Sequence, residues 1–405
     1  MEYRPLPSDR AEEFREYVDY AFSPEDGPGI DDEVALDDQP GDERALLADG
    51  ELLAVCRHYW FRARLRDRWF ELPGLSAVAS PPEHRRQGNV ARMLAESLVE
   101  YRDRGDPLTA LWAFEHSFYA RQGWGLATKF AEYECDPETL GFARDRVDES
   151  GRFRRLDADD YHLLDPVLAA ANEGRELALD RTEQWWRKRI FEGWQGDPYV
   201  YGWADDAGEL RGYVAYRVED EDGGKRLAAD EFVAADHEAR LHCLRLLADH
   251  DSQVDRVSFY GTPDADLFDV VDDPGDVECE VKPGPMARIV DVPAAFEAFA
   301  EPAPDAPEGA ATEFTLSVSD PLADWNDGTF RVALADGTAT CEPTDAPDDE
   351  ADATTGVGAL SQVVAGYHSV ADAERFGDLE IRTPAVRDAL AAAFPEREVF
   401  LTEGF

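Results

Sequence analysis

Two adjacent arginines, a glutamine and a glycine, Arg85-Arg86-Gln87-Gly88, stand between the apolar run Leu75–Ser80 and a stretch of helical periodicity. In that stretch Val90, Met93, Leu94 and Leu98 share one face. The pattern predicts a strand, a turn and a helix. Backbone N–H groups at such a helix start bind phosphates without a metal. Gly88 lets the backbone approach closely, and Arg85 and Arg86 can add charge-assisted contacts. On these residues alone, an anion-binding loop and an ordinary solvated arginine pair stand level. The turn is neither GxGxxG nor GxxxxGK[ST], so it is not a dinucleotide fingerprint or a P-loop.

Downstream, "WAFEHSFYARQGW" carries Tyr119. A phenol, with a reference pKa near ~10, stays protonated at neutral pH and can donate to a leaving group. On its own, such a tyrosine is more often a core residue satisfying one hydrogen bond. His237, His242 and His250 do not have the spacing of HExxH or of a zinc site, so no metal is expected. His84 and His116 flank these segments but lack a recognisable base–nucleophile arrangement. Glu115 and Glu403 can attract a cationic amine, although solvated glutamates abound in this chain.

These groups need a scaffold. A chain of 405 residues suggests about two to four domains, and 43% apolar residues supply several cores. The net charge of -48 comes from 88 acidic residues dispersed along the whole chain, against 40 basic ones. Only Lys129, Lys188, Lys225 and Lys282 are lysines. A dispersed acidic surface poor in lysine resembles proteins of salt-loving microbes, where salt screens charge over a few ångströms. The other reading is an acidic scaffold that attracts cationic partners. Nucleic-acid binding is disfavoured, because phosphate contacts need a basic footprint. Five scattered cysteines without a CxxC pair argue against a disulfide framework or structural zinc. The N-terminus lacks the pattern of a signal peptide. No run approaches the ~18 apolar residues of a membrane span, so the expected location is the cytoplasm.

Along the chain, "PSDRAEEFREYVDYAF" predicts a first helix capped by Asp9 with Glu12. A polar connector, Glu25 to Asp42, and several strands follow. A second unit begins near Gly151 and repeats a strand–helix–strand order, without an equivalent of Arg85-Arg86-Gln87-Gly88. It also holds the aromatic clusters "QWW" and "WQGDPYVYGW", which suit a core, a seam or part of an acceptor pocket. A third unit, from about Met286, combines helices, a Pro/Ala-rich connector and strands, with "DAPDDEADATT" as an exposed loop.

"AVASPPEHRRQGNVARML" resembles the cofactor motif of the GCN5-related N-acetyltransferases (GNAT), [RQ]-x-x-G-x-[GA], except that Val90 replaces the small residue at its end. Together with Tyr119, three units in this order and a terminal phenylalanine, the whole chain resembles the Eis-like ("enhanced intracellular survival") acetyltransferases. The resemblance implies an α/β (α+β) fold. Tandem acetyltransferase-like domains with mixed central sheets, 1–150 and a degenerate 151–290, would precede a sterol-carrier-like α+β domain, 291–405. It implies acetyl-CoA as cosubstrate. The strand Val78, Ala79 and Ser80 would lie along the pantetheine arm. The backbone of Arg86, Gln87, Gly88, Asn89 and Val90 would face the pyrophosphate, with Arg85 and Arg86 stabilising its charge. Tyr119 would be the general acid. The terminal carboxylate of Phe405 would help take a proton from the incoming primary amine, directly or through water. The acceptor would be a small molecule or a protein lysine, and the assembly a homo-oligomer, with hexamers among the family's forms. The competing expectation is a noncatalytic ligand- or lipid-binding or assembly protein that retains the fold.

Overall fold

The computed structural model describes residues 1–27, 39–193, 196–221, 223–264, 266–301, 311–335 and 338–405. Most of the polar connector after Glu25 and most of the Pro/Ala-rich connector near residue 305 lie outside them. The described residues group into two compact units. One comprises Met1–Thr128, Glu176–Asp180 and Gly284–Phe405; the other comprises Lys129–Arg175 and Arg181–Pro283.

The first unit begins with β1 (Glu2–Pro5), β2 (Asp42–Ala48), β3 (Glu51–Leu65), β4 (Arg68–Ala79), β5 (Leu108–Leu111) and β6 (Gly125–Leu126). Helices α1 (Ala11–Phe22), α2 (Asn89–Arg104) and α3 (His116–Ala120) are interleaved with them. β3 is continuously buried from Leu52 to Tyr59, the signature of a stretch covered on both faces. The apolar face of α2 is Met93, Leu94, Leu98 and Tyr101, all fully buried. The helix ends at Gly105, whose φ of +86° is the left-handed stop. At the other end of the chain, the expected Asp9 cap is not formed. Ser8–Arg10 makes a 3-10 turn, and α1 starts at Ala11 without a side-chain cap.

In the second unit, β7 (Lys129–Cys135), β8 (Arg152–Arg155), β10 (Tyr199–Ala204), β11 (Leu210–Glu221), β12 (Gly224–Ala234), β13 (Arg256–Gly261) and β14 (Val277–Pro283) form a sheet. Its order is β14-β7-β13-β12-β11-β10-β8. Only β12 and β13 pair in parallel there. The helices are α4 (Phe142–Arg146), α5 (Tyr161–Ala171), α6 (Glu183–Trp185) and α7 (His237–Ala248), with α6 continued by a π-turn over Trp186–Phe191.

Two more strands complete the first unit's first sheet. β9 (Leu179–Asp180) pairs with β3, and β15 (Met286–Ile289) lies between β5 and β6 in the order β1-β2-β3-β4-β5-β15-β6. The sequence boundaries place β7 in the first domain and β15 in the second; the strand pairing puts each in the other sheet. Every residue of β15 is buried, so it needs neighbours on both edges and cover on both faces, which an interior slot supplies. The remainder of this unit has α8 (Val292–Phe299), α9 (Val357–Val364), α10 (Val370–Phe376) and α11 (Pro384–Ala393) around a second sheet. That sheet holds β16 (Ala311–Ser319), β17 (Gly328–Ala335), β18 (Thr338–Pro343), β19 (Ala353–Gly356) and β20 (Leu379–Ile381), in the order β18-β17-β16-β19-β20. Each of the three sheets mixes parallel and antiparallel pairs. The expected loop "DAPDDEADATT" is partly ordered, since its end is β19. All five cysteines are free. Among the described residues no helix is long and apolar enough to cross a membrane.

A buried ion pair ties β15 to the segment after β16. Arg288 and Asp320 are fully buried at the side chain and meet at 2.6 Å. Asp320 also accepts from the backbone of Leu322 and Ala323 and from Asn326. Burial pushes the Arg288 guanidinium below its usual pKa, with Asp320 opposing that shift. Removing one partner of such a pair leaves an uncompensated buried charge, at a cost of about 3–5 kcal/mol. Asp320→Ala is therefore expected to lower the denaturant midpoint strongly. An unchanged midpoint would show that Arg288 finds water or another acceptor.

Candidate functional site

The sequence turn sits where two neighbouring parallel strands part. β4 pairs with β5 only at Gly74 with Ala110 and Leu75 with Leu111. Beyond Leu75 the β4 backbone has no strand on that side among the described residues. On its other side the β3–β4 register shifts between Val55 and Arg57, and Ala77 takes a φ of +49°. Such a bulge bends a strand and re-aims its end. On the β5 side, Ser76 to Ala79 of β4 therefore present a backbone wall without a strand partner among the described residues. Val78, Ala79 and Ser80 lie along it, as expected from the sequence. Val78 is largely buried and packs into the same core as Leu75, Met93, Leu111 and Tyr119, so the backbone is the part available to a ligand. The Ser80 hydroxyl is turned inward onto the Leu53 carbonyl at 2.8 Å.

The loop after β4 leads to an uncapped helix start. Gly88 is the N-cap of α2 with φ of +81°, and no side chain caps the helix. A Cβ at Gly88 would meet nothing within 4 Å, so the left-handed backbone, not crowding, calls for glycine. The first helical bond runs from the Arg92 amide to the Gly88 carbonyl at 3.0 Å. The preceding amides of Asn89, Val90 and Ala91 therefore have no intrahelical acceptor. Arg86, Gln87 and Gly88 are exposed around them. Arg85 is tied back to the strand, its Nε donating to the Ser80 carbonyl at 3.0 Å and its guanidinium lying 5.0 Å from the Tyr20 ring centre. Arg86 holds a φ of +57°, and its guanidinium makes no hydrogen bond or ion pair among the described residues. Gln87 and Asn89 brace the loop through the Glu83 and His84 carbonyls at 2.7 and 3.0 Å. Val90, the departure from the motif, packs its side chain against the core, away from the open amides. The arrangement is an anion seat: free N–H groups, the positive end of a sixteen-residue helix and two guanidinium groups.

Tyr119 lies on α3, just past the end of β5, and is 2% exposed. Phe114, Phe118 and Trp124 surround its ring with centroids at 5.6, 5.1 and 6.1 Å. Its phenolic oxygen has no hydrogen-bond partner among the described residues. Burial, followed by the nearby Cys56, pushes its pKa well above the ordinary phenol value. Tyr119 thus keeps its proton across the neutral and alkaline range. His116 and Glu115 are exposed at the start of α3, while His84 is partly buried, 3.2 Å from Glu51.

Phe405 is 9% exposed, and its ring lies 4.9 Å from that of Phe61 and 6.1 Å from that of Tyr59, both on β3. The Phe405 ring is docked on the same sheet as the loop and Tyr119, so the loop, the phenol and Phe405 all belong to the first unit. Sequence reasoning missed the residues that hold the tail: Tyr59, Phe61, Gly74 and Trp112. No local pattern marks them, because their partner lies hundreds of residues away.

A second set in this unit has the residue types of a nucleophile, base and acid. His58 Nε2 is 3.2 Å from Ser97 Oγ and 3.6 Å from Cys56 Sγ, with Nδ1 at 3.7 Å from Glu100. Its imidazole is completely buried. Burial pushes its pKa down to about 3, against the pull of Glu100. A neutral ring sealed from solvent fixes α2 to β3 and meets no substrate.

The second unit repeats the geometry with one decisive change. β12 pairs with β13 only from Arg226 to Ala229, and α7 follows β12. There Asp236 is the N-cap; its carboxylate accepts from the Ala239 amide at 3.0 Å and from Arg211 Nε at 2.9 Å. A built-in carboxylate occupies the place that α2 leaves open, and a phosphate would meet like charge. The histidines weighed as metal ligands, His237, His242 and His250, do not converge. His250 bonds to Tyr216 and Leu246, whereas His242 stacks on Trp203 at 4.1 Å. A donor atom of His242 lies within 4.8 Å of donors from Asp148 and Glu238, and Glu238 is also 3.3 Å from Arg211.

Residues 2–127 and 177–289 each match an Acetyltransferase (GNAT) domain family, and residues 292–402 match the Sterol carrier protein domain family. The chain is 31% identical over 290 residues to N-acetyltransferase Eis of Mycobacterium tuberculosis (strain ATCC 25177 / H37Ra), covering 67% of this chain and 66% of that protein. An uncharacterized N-acetyltransferase of Streptomyces griseus is 28% identical over 313 residues, covering 73% of this chain and 72% of the relative. In fold the chain is similar to Eis1 from Mycobacterium abscessus, with a TM-score of 0.74, 24% identity and 100% of both chains covered. A probable N-acyltransferase from Enterococcus faecalis V583 gives a TM-score of 0.81 at 19% identity, with 99% of each chain covered. The architecture is thus two tandem GNAT-like domains followed by a sterol-carrier-like domain.

Proposed function

Since the chain belongs to the GNAT superfamily as an Eis-like member, we propose that it transfers an acetyl group from acetyl-CoA to a primary amine by direct attack. The observation that carries this reading is the uncapped start of α2, flanked by Arg85 and Arg86, beside the unpaired end of β4. Those residues suit a pyrophosphate and an extended amide-bearing arm, respectively. Acetyl-CoA would supply the activated acetyl thioester. The amides of Asn89, Val90 and Ala91 would bind the diphosphate, with Arg86 and the free end of the Arg85 guanidinium neutralising it. The backbone of Val78 to Ser80 would align the arm by hydrogen bonds of the kind a neighbouring strand would make. Tyr119 would hold a proton at its Oη and give it to the departing sulfur. The Phe405 carboxylate would accept a proton from the attacking amine, directly or through water. Residues 1–150 supply the cofactor site, 151–290 a domain whose anion seat is closed by Asp236, and 291–405 the reactive tail. An acidic surface suited to high salt, a cytoplasmic location and assembly into a homo-oligomer belong to the same proposal.

Labelled acetyl-CoA with a panel of small amines and lysine-bearing proteins, at high salt, tests the reaction. Acetyl-CoA binding without transfer to any amine would favour a noncatalytic binding protein. Absence of acetyl-CoA binding by the folded chain would sink the proposal. For the seat itself, Arg86→Ala is expected to weaken acetyl-CoA binding about tenfold, the scale of one charge-assisted hydrogen bond. Alanine inherits the same positive φ, so the change isolates the side chain. Arg85→Ala should act less, and the double variant need not be additive because both can share the same phosphates. Calorimetry at matched salt reads these values; unchanged affinity in the double variant would remove both side chains from the seat.

A further inference from the structure

Gly74, within the short β4–β5 ladder, and Trp112, just past it, also hold the tail. Gly74 is the partner of Ala110 in the short parallel ladder. A Cβ at Gly74 would stand 2.9 Å from the Phe405 ring and 2.5 Å from that of Phe61, so the strand is bare where the terminal ring packs. Trp112 follows Leu111, the last paired residue of β5. Its indole Nε1–H donates to the Glu403 carbonyl at 2.5 Å. Upstream, the tail is held by the Glu176 amide on the Glu398 carbonyl, the Phe400 amide on the Glu176 carbonyl and Thr128 Oγ1 on the Val399 carbonyl. Leu401 is buried. Between the Glu403 carbonyl and the terminal carboxylate only Gly404 and Phe405 remain, and glycine restrains the backbone least of any residue. The ring of Phe405 alone allows the carboxylate to swing about its own bonds. A hold on the Glu403 carbonyl narrows that freedom from the other side of Gly404, and indole is a rigid donor with no acceptor capacity to compete.

We propose that Trp112 is a positioning residue that sets the place of the Phe405 carboxylate, with Gly74 supplying the space for its ring. The divergence of two strands then does two things at once: it opens the β4 backbone and releases Trp112 from the sheet to hold the tail. This rests on the reading of Phe405 as proton acceptor. A shift of about 1 Å in a reacting group can cost about 10²-fold in rate.

The test compares the full-length chain, Trp112→Phe, a C-terminally extended chain and the combination. Trp112→Phe keeps an aromatic ring and loses the N–H. Its single-turnover acetyl transfer is expected to fall about 10–100-fold, with acetyl-CoA affinity unchanged and faster release of Phe405 by carboxypeptidase. The extension should slow the parent chain strongly, and Trp112→Phe should add little to the extended chain, since both act on one carboxylate. A parental rate in Trp112→Phe, or two losses that multiply, would overturn the positioning role while leaving the carboxylate reading intact. An extension that leaves the parent at full rate would instead defeat the carboxylate reading, and the positioning role with it. If Trp112→Phe does not fold, Gly74→Ala displaces the tail from the ring side; its loss must likewise fail to multiply with the extension, and a parental rate in it overturns the proposal.

Discussion

Tyr119→Phe is expected to bind acetyl-CoA as the parent chain does and to slow single-turnover acetyl transfer by about 10²–10⁴-fold, the usual range for loss of a general acid. Phenylalanine keeps the ring, and the ring is what packs against Phe114, Phe118 and Trp124. The lost hydroxyl has no protein partner among the described residues, so no buried donor or acceptor is orphaned by the change. Folding should therefore survive, and the cost should fall on chemistry. The lower end of the range is favoured. Burial raises the Tyr119 pKa above that of an ordinary phenol, whereas a thiol titrates near ~8.5. Full proton transfer to a free thiolate would then run uphill, and the phenol contributes mainly by hydrogen bonding to charge as it develops on sulfur. The sign of the pH dependence follows. A raised phenol pKa leaves the proton in place through neutral and alkaline pH, so the rate should show no alkaline loss from Tyr119 below the normal tyrosine range. A parental chemical rate in Tyr119→Phe would defeat the acid role, even if steady-state turnover changed.

The loop and helix of the proposed cofactor seat were legible because they are local. Gly88 next to a periodic apolar face announces a left-handed turn and a helix start, and both formed where the residues place them. What the loop is for was not legible from spacing alone. An arginine pair reads the same in a solvated turn, and the missing cap on α2 becomes meaningful only beside the capped α7, where Asp236 fills the equivalent place. The Asp9 cap failed for the converse reason: a correct local signal was overridden when Ser8–Arg10 closed into a tighter turn. Strands were harder. β15 reads as the end of one domain, but its continuous burial is satisfied only between β5 and β6 of another sheet. The tail contacts were invisible for the same reason. Gly74, in a strand, looks like a weak point or a turn until Phe405 is seen to occupy the space above it.

Blocking the terminal carboxylate is expected to abolish most acetyl transfer while leaving acetyl-CoA affinity near that of the parent. A short extension converts the Phe405 carboxylate into an amide carbonyl, which retains an acceptor but is far too weak a base to take a proton from an amine. The proposed cofactor seat, at the start of α2, lies at the other end of the β4 wall from Gly74, and no hydrogen bond or ion pair joins Arg85, Arg86 or Gln87 to the tail among the described residues. Deleting Phe405 is the sharper variant. It restores a carboxylate, on Gly404, but one residue short and without the ring that packs on Phe61 and Tyr59. If any carboxylate near the site sufficed, the deletion would outperform the extension. If position governs, both should fall by a comparable factor of at least about 10², since a group misplaced by ~1 Å already costs that much. The loss should appear in the chemical step of a single turnover, with thermal unfolding used to confirm that each variant is folded, because the buried ring also contributes packing. Full single-turnover activity in a folded chain whose extension is verified intact by mass spectrometry would assign the docked terminus to stability alone and leave the amine's proton to another acceptor.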